Sequence, residues 1–218
     1  MKNSLKIVAH TALMATALFT AGASAAVVSS LDGVAVVLPT LNFSDSFGAG
    51  PHTVTSNITW TSTETNSVYG YSGAYGLGSN GSWSSASTFV GLNRDVGSMS
   101  FNFSSAVAGF GGLLNHVPNN GAASISAYDA NGALLDSFTL NFTTPYATDA
   151  GQFFGFLSET ANISRFTMTG GYIVGKDFIV VDDATDVPEP AGLWLLGIGL
   201  IGAAAARRRS AKARAAAR

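Results

Sequence analysis

The sequence predicts an all-β domain, a two-sheet antiparallel β-sandwich of jelly-roll type, flanked by a short apolar helix at each end. Three observations predict it. Short runs rich in β-branched and aromatic residues recur through the middle, several alternating apolar and polar with the period of a half-buried strand. Twenty-five glycines, with frequent Ser, Thr and Asn, supply tight turns between them, and charged residues are only 11%. Between the two ends no stretch carries the 3.6-residue apolar period of an amphipathic helix.

Residues 1–25 read as a secretory signal peptide. Lys2 and Lys6 form a basic start, residues 7–19 an apolar core, and Ala21-Gly22-Ala23-Ser24-Ala25 a run of small residues. Ala23-Ser24-Ala25 fits the small-x-small pattern that signal peptidase accepts, which puts cleavage after Ala25, with Ala26 as the alternative. Residues 26–186 form the sandwich. Strands are expected at 34–38, 54–61, 88–92, 98–103, 124–128, 134–142, 153–157, 163–168 and 178–181. Asn131-Gly132, between two of these, offers the paired positive-φ positions of a type I′ turn and predicts a hairpin.

Residues 187–218 change character. In Val187-Pro188-Glu189-Pro190 the prolines end any preceding strand and leave an extended backbone. Residues 191–206 are rich in Gly, Leu and Ala. As a helix they span roughly 24 Å at about 1.5 Å each, a short transmembrane helix whose flanking arginines can snorkel. Arg207-Arg208-Arg209 begins a basic tail at 207–218. Such a cluster stays cytoplasmic by the positive-inside rule and leaves the domain outside.

That order of Pro-Glu-Pro, apolar helix and arginine cluster resembles the PEP-CTERM sorting signal. The resemblance implies that Pro188, Glu189 and Pro190 are the motif read by exosortase, a membrane-embedded cysteine protease. It makes 191–206 a transient inner-membrane anchor and Arg207, Arg208 and Arg209 the membrane stop. The basic end from Ser210 to Arg218 is longer than the usual tail of that family. The implied destination is the cell surface or extracellular matrix, in a setting of exopolysaccharide and biofilm. The second half of the middle domain is similar in outline to galactose-binding and carbohydrate-binding modules. The residues that carry this are Val107-Ala108-Gly109-Phe110-Gly111-Gly112, the hairpin at 128–132, Phe153-Phe154-Gly155-Phe156, and Phe178 to Asp183.

Charge narrows the partners. Between the two ends only Arg94, Arg165 and Lys176 face twelve acidic residues, a formal −9. Such a domain repels phosphate backbones, which argues against nucleic acid and for cations. Cysteine is absent, which removes thiol catalysis, disulfides and thiolate zinc sites. Asp177, Asp182 and Asp183, with Asp186, gather around the last expected strand, and such hard oxygen ligands would suit calcium. Their spacing matches no calcium loop, and a solvated strand end is the simpler reading. No organic cofactor is expected. Gly76-Leu77-Gly78-Ser79-Asn80-Gly81 matches a dinucleotide-binding glycine pattern, but Ser82-Trp83-Ser84 follows where that motif needs a helix.

The same reading makes the protein no enzyme. There is no Gly-x-Ser-x-Gly elbow, and sequence singles out no carboxylate pair. His52 and His116 stand far apart without a motif and read as surface or turn histidines. Tyr69, Tyr71, Tyr75 and Trp83 crowd one glycine-rich segment. Exposed, they would stack on sugar rings; the plainer reading packs them on the sandwich edge. The expectation is an exported structural or adhesive protein, handled by signal peptidase and exosortase and set among extracellular polysaccharide. A carbohydrate-binding module is the alternative, and an exported hydrolase the third reading.

Overall fold

The computed structural model describes residues 24–31, 46–84 and 88–182. The strand expected at 34–38 and both terminal segments expected as helices fall outside these residues. Among the described residues no helix is long and apolar enough to cross a membrane.

The described chain is β throughout, as expected, save one turn of 3-10 helix at Gly78–Asn80. In order, the strands are β1 (Ala25–Val28), β2 (Ser46–Phe47), β3 (His52–Thr53), β4 (Ile58–Ser62), β5 (Val68–Tyr71), β6 (Tyr75–Gly76), β7 (Ser82–Trp83), β8 (Phe89–Gly91), β9 (Ser98–Val107), β10 (Gly109–Asn115), β11 (Ser124–Tyr128), β12 (Leu134–Thr139), β13 (Gln152–Ser158), β14 (Ile163–Thr169) and β15 (Val174–Val181). They build a seven-stranded sheet, β1-β13-β10-β15-β8-β5-β2, and a six-stranded sheet, β12-β11-β14-β9-β4-β3, with β6 and β7 as a small ribbon. The ladders in both large sheets are antiparallel.

Strict alternation explains the six-stranded sheet. In β9 (Ser-Met-Ser-Phe-Asn-Phe), Met99, Phe101 and Phe103 point inward; Ile125 and Ala127 of β11 and Phe166 and Met168 of β14 do the same. They meet Phe110, Phe156 and Phe178 of the seven-stranded sheet in one core. Phe110 is its hub, with ring centroids 4.9 Å from Phe101, 5.1 Å from Phe103 and 5.1 Å from Phe166. Tilted and edge-on pairs at such distances suit the aromatic quadrupole.

The strand missing from the sequence reading is β10, which lies inside the larger sheet between β13 and β15. Gly111 sits opposite Gly155 on β13, and a Cβ on Gly111 would lie 2.7 Å from the Gly155 Cα. Only glycine lets the two backbones come this close. The chain runs from β9 into β10 through the fully buried Ala108, so one extended segment serves both sheets.

Two local expectations change. The strand expected from 54 starts at Ile58, because the Val54 amide bonds to the Ile58 carbonyl at 2.9 Å and closes a turn. The β11–β12 hairpin is present, but its turn is not type I′. Among its loop residues only Gly132 has a positive φ, +79°, with Gly132 N donating to Asp129 O at 3.1 Å and Asp129 N to Ala133 O at 3.0 Å. That is a three-residue loop with a left-handed glycine. Asp129 selects it: its Oδ1 accepts from the amides of Asn131 and Ala133, both at 2.8 Å.

The seven-stranded sheet is covered on its other face as well. Val68, Tyr75, Leu77, Trp83, Phe89 and Val174 make one satellite core; Leu31, Ala108 and Val181 make another.

Candidate functional site

The uncovered surface is the outer face of the six-stranded sheet. Register sets its side chains in rows across the strands. Tyr128, Arg165, Asn102 and Thr59 form one row; Ser126, Thr167, Ser100 and Thr61 form the next. Alternation puts these polar residues outside for the same reason that it buries Phe101, Phe166 and Ile125. Hydroxyls and amides couple across strands: Ser100 Oγ lies 2.9 Å from Thr167 Oγ1, and Asn102 Nδ2 donates to Thr61 Oγ1 at 3.1 Å.

At the end of the first row a groove of about 430 Å³ opens between residues 102–104, the turn at 129–132, and residues 164–165. Its size falls within the range of small-ligand clefts. The guanidinium of Arg165 lies 4.3 Å from the centroid of the Tyr128 ring, a cation–π contact that holds it flat. Its Nε finds no hydrogen-bond partner within the protein. The nearby Asp129 carboxylate is committed to its own turn. Arg165 is thus a positioned cation beside Asn102 and Asn131, on a domain of otherwise negative balance.

The aromatic segment is organised differently. Tyr69, Tyr75 and Trp83 are buried, at 1%, 6% and 1% exposure, and Tyr71 is half-buried. Tyr71, Tyr75 and Trp83 each meet Phe89 edge-on, at 5.6, 5.7 and 5.4 Å. They are the packing of a satellite core, not an exposed stacking platform. Burial pushes the Tyr69 hydroxyl up to about 12 and raises that of Tyr75 as well, although Tyr75 accepts a hydrogen bond from the Asn93 amide at 3.0 Å.

Beside this core lies a polar network that no sequence motif announces. Asn115, fully buried at the end of β10, uses all four of its side-chain contacts. Its Oδ1 accepts from Asn80 Nδ2 (2.9 Å) and the His116 amide (2.8 Å), and its Nδ2 donates to Thr144 Oγ1 (3.0 Å) and Ala150 O (2.8 Å). Ala150 O also accepts from Trp83 Nε1 at 2.6 Å. Asp149 accepts from Ser84 N and Ser84 Oγ, both at 2.8 Å, and these bonds hold its carboxyl below the usual range, with a smaller contribution from Lys176. The Lys176 ammonium sits 5.1 Å from the Trp83 ring centroid.

The other expected sites separate. His116 is buried rather than at the surface, edge-on to Phe142 at 5.1 Å, and desolvation lowers its pKa. His52 stacks on Tyr69 at 4.5 Å and is half-buried. Asp177 and Asp182 are exposed, and Asp183 lies outside the described residues. Among the described residues no three His, Cys, Asp or Glu side chains gather to hold a metal. The glycine-rich segment at 76–81 is ribbon and 3-10 turn, with no helix after it to meet a pyrophosphate. Ala25 and Ala26 lie in β1, whereas Ala23, Pro188 to Pro190 and Arg207 to Arg209 lie outside the described residues.

Residues 186–209 match the family model of the PEP-CTERM protein-sorting motif. No curated protein matches the chain. The motif implies an exported, membrane-associated precursor that exosortase processes.

Proposed function

We propose that the mature protein is a non-enzymatic structural or adhesive component of the cell surface or extracellular matrix, in an exopolysaccharide or biofilm setting. Signal peptidase removes the leader, and residues 191–206 hold the precursor in the inner membrane until exosortase acts. The observation that carries this reading is the sorting motif at 186–209, following an all-β domain. Mass spectrometry of the mature protein from its native host tests it. The expected product lacks the tail; residues 191–218 still attached would contradict the processing step.

A second reading, carbohydrate recognition, is favoured by the hydroxyl rows and the groove. Side chains on adjacent strands repeat at about 4.7–4.9 Å, a spacing that can meet successive hydroxyls of an extended polyol. Arg165, Asn102 and Asn131 would supply donors, with Tyr128 beside them as an apolar wall. A glycan array with wild type, an Asn102→Ala/Arg165→Ala double variant and a Tyr71→Ala control decides it. Binding lost in the double variant and kept in the control supports the groove. No wild-type binding, or binding untouched by the double variant, refutes it.

A further inference from the structure

Before β1 the chain offers three overlapping small-x-small triplets: Ala21-Gly22-Ala23, Ala23-Ser24-Ala25 and Ser24-Ala25-Ala26. Signal peptidase could cut after the last residue of any of them by composition alone. The fold separates them.

β1 is an edge strand held by four register pairs, from Ala25 opposite Ser158 to Val28 opposite Gly155. Ala25 is 2% exposed and belongs to the main core between the sheets. Ser24 is exposed, and its carbonyl accepts from Ser158 Oγ at 3.4 Å. A cut after Ala25 removes a core side chain, the first register pair and the Ser158 contact. A cut after Ala26 removes two of the four pairs. For so short a strand that is most of its hold on the sheet. A cut after Ala23 removes none of them.

Access points the same way. A protease must draw the scissile bond into its own cleft as extended backbone. The 25–26 and 26–27 bonds lie within the β1–β13 ladder and are withdrawn once the domain folds, whereas the 23–24 bond precedes the strand.

We propose that the leader is removed between Ala23 and Ser24, leaving Ser24 as the first residue of the mature domain. This rests on reading the N-terminal segment as a signal peptide, and it moves the cleavage point two residues upstream of the one composition favours. Water adds across the Ala23–Ser24 amide, giving a carboxylate on Ala23 and an ammonium on Ser24. That charge falls on an exposed residue, where solvent stabilises it.

The test is N-terminal sequencing, with intact mass, of the full chain exported from a bacterial host. A terminus at Ser24 is expected, and one at Ala26 or Val27 overturns the proposal. A terminus at Met1 would instead defeat the signal-peptide reading beneath it. Ala21→Leu supplies a second arm. It blocks the small residue required three positions before the new terminus, while Ala23-Ser24-Ala25 stays intact. Its product should begin at Ala26 and melt about 2–4 °C below the Ser24 form. Equal melting temperatures of the two forms would overturn the argument from the fold.

Discussion

Replacing Asn115 by Ala tests whether the buried network holds the loops around the satellite core. The substitution removes four hydrogen bonds at once. Their partners fare unequally. Asn80 Nδ2 keeps the His116 carbonyl at 3.1 Å, Ala150 O keeps Trp83 Nε1, and Thr144 Oγ1 still donates to Asn80 O at 2.9 Å. The His116 amide loses its side-chain acceptor in a buried position. One stranded buried donor costs about 1–3 kcal/mol, and each bond lost from a partner that keeps another costs about 0.5–1.5 kcal/mol. The expected loss is therefore about 3–5 kcal/mol, a large share of the roughly 5–15 kcal/mol that stabilises a domain. Urea unfolding followed by tryptophan fluorescence measures it, with Trp83 reporting from within the network. Asn115→Asp is the companion variant, keeping the two acceptor contacts while losing both donors and burying a charge. It should be at least as unstable as the alanine variant. A loss below about 1 kcal/mol for Asn115→Ala would refute the reasoning, because it would mean that water or rearrangement replaces the network without cost.

Three other perturbations follow from the same structure. Gly111→Ala should destabilise by about 1–3 kcal/mol in urea melts, since its Cβ meets backbone on β13 that cannot give way, whereas Gly76→Ala, open to space, should be near neutral. Acid titration should show two losses. His116, lowered by burial from its ordinary 6.5, is held neutral in the fold. Stability complete above 6.5 therefore declines as pH falls through that value, and this first loss should vanish in His116→Phe. Asp149, held below its ordinary 3.8 by Ser84, contributes stability that goes only at lower pH still, and thermal melts across pH separate the two. Asp129→Ala strips the acceptor from two turn amides and should cost about 0.5–1.5 kcal/mol, read by urea unfolding; an unchanged midpoint would show that Gly132 alone sets the turn.

Strands with strict alternation were legible from the residues. The strand at Ser124–Tyr128 has the expected bounds, and β14 runs one residue past its expected end. β10 was not legible, because Gly-Phe-Gly-Gly reads locally as a breaker. Its glycines make sense only against Gly155, forty-four positions after Gly111, and no local signal carries that pairing. The groove combines both cases. Its Asn102 and Arg165 sit on alternating strands, so their outward placement follows from period two. Their adjacency depends on β9 pairing with β14, which only the folded sheet fixes. The aromatic residues show the limit of composition: the same crowding serves a stacking surface or a small core, and the position of Phe89 and Val174 decides for the core. Asn80, Asn115 and Thr144 converge from three distant loops and left no pattern to find.

The exit of the chain from the sandwich has a mechanical meaning. Whatever follows Val181 pulls first on β15, and β15 is no edge; it is flanked by β10 on one side and β8 on the other. Traction along it loads many rungs together in shear, where a border strand would unzip one rung after another. A domain towed or tethered by its tail is thus gripped at the part of the sheet that is hardest to peel away.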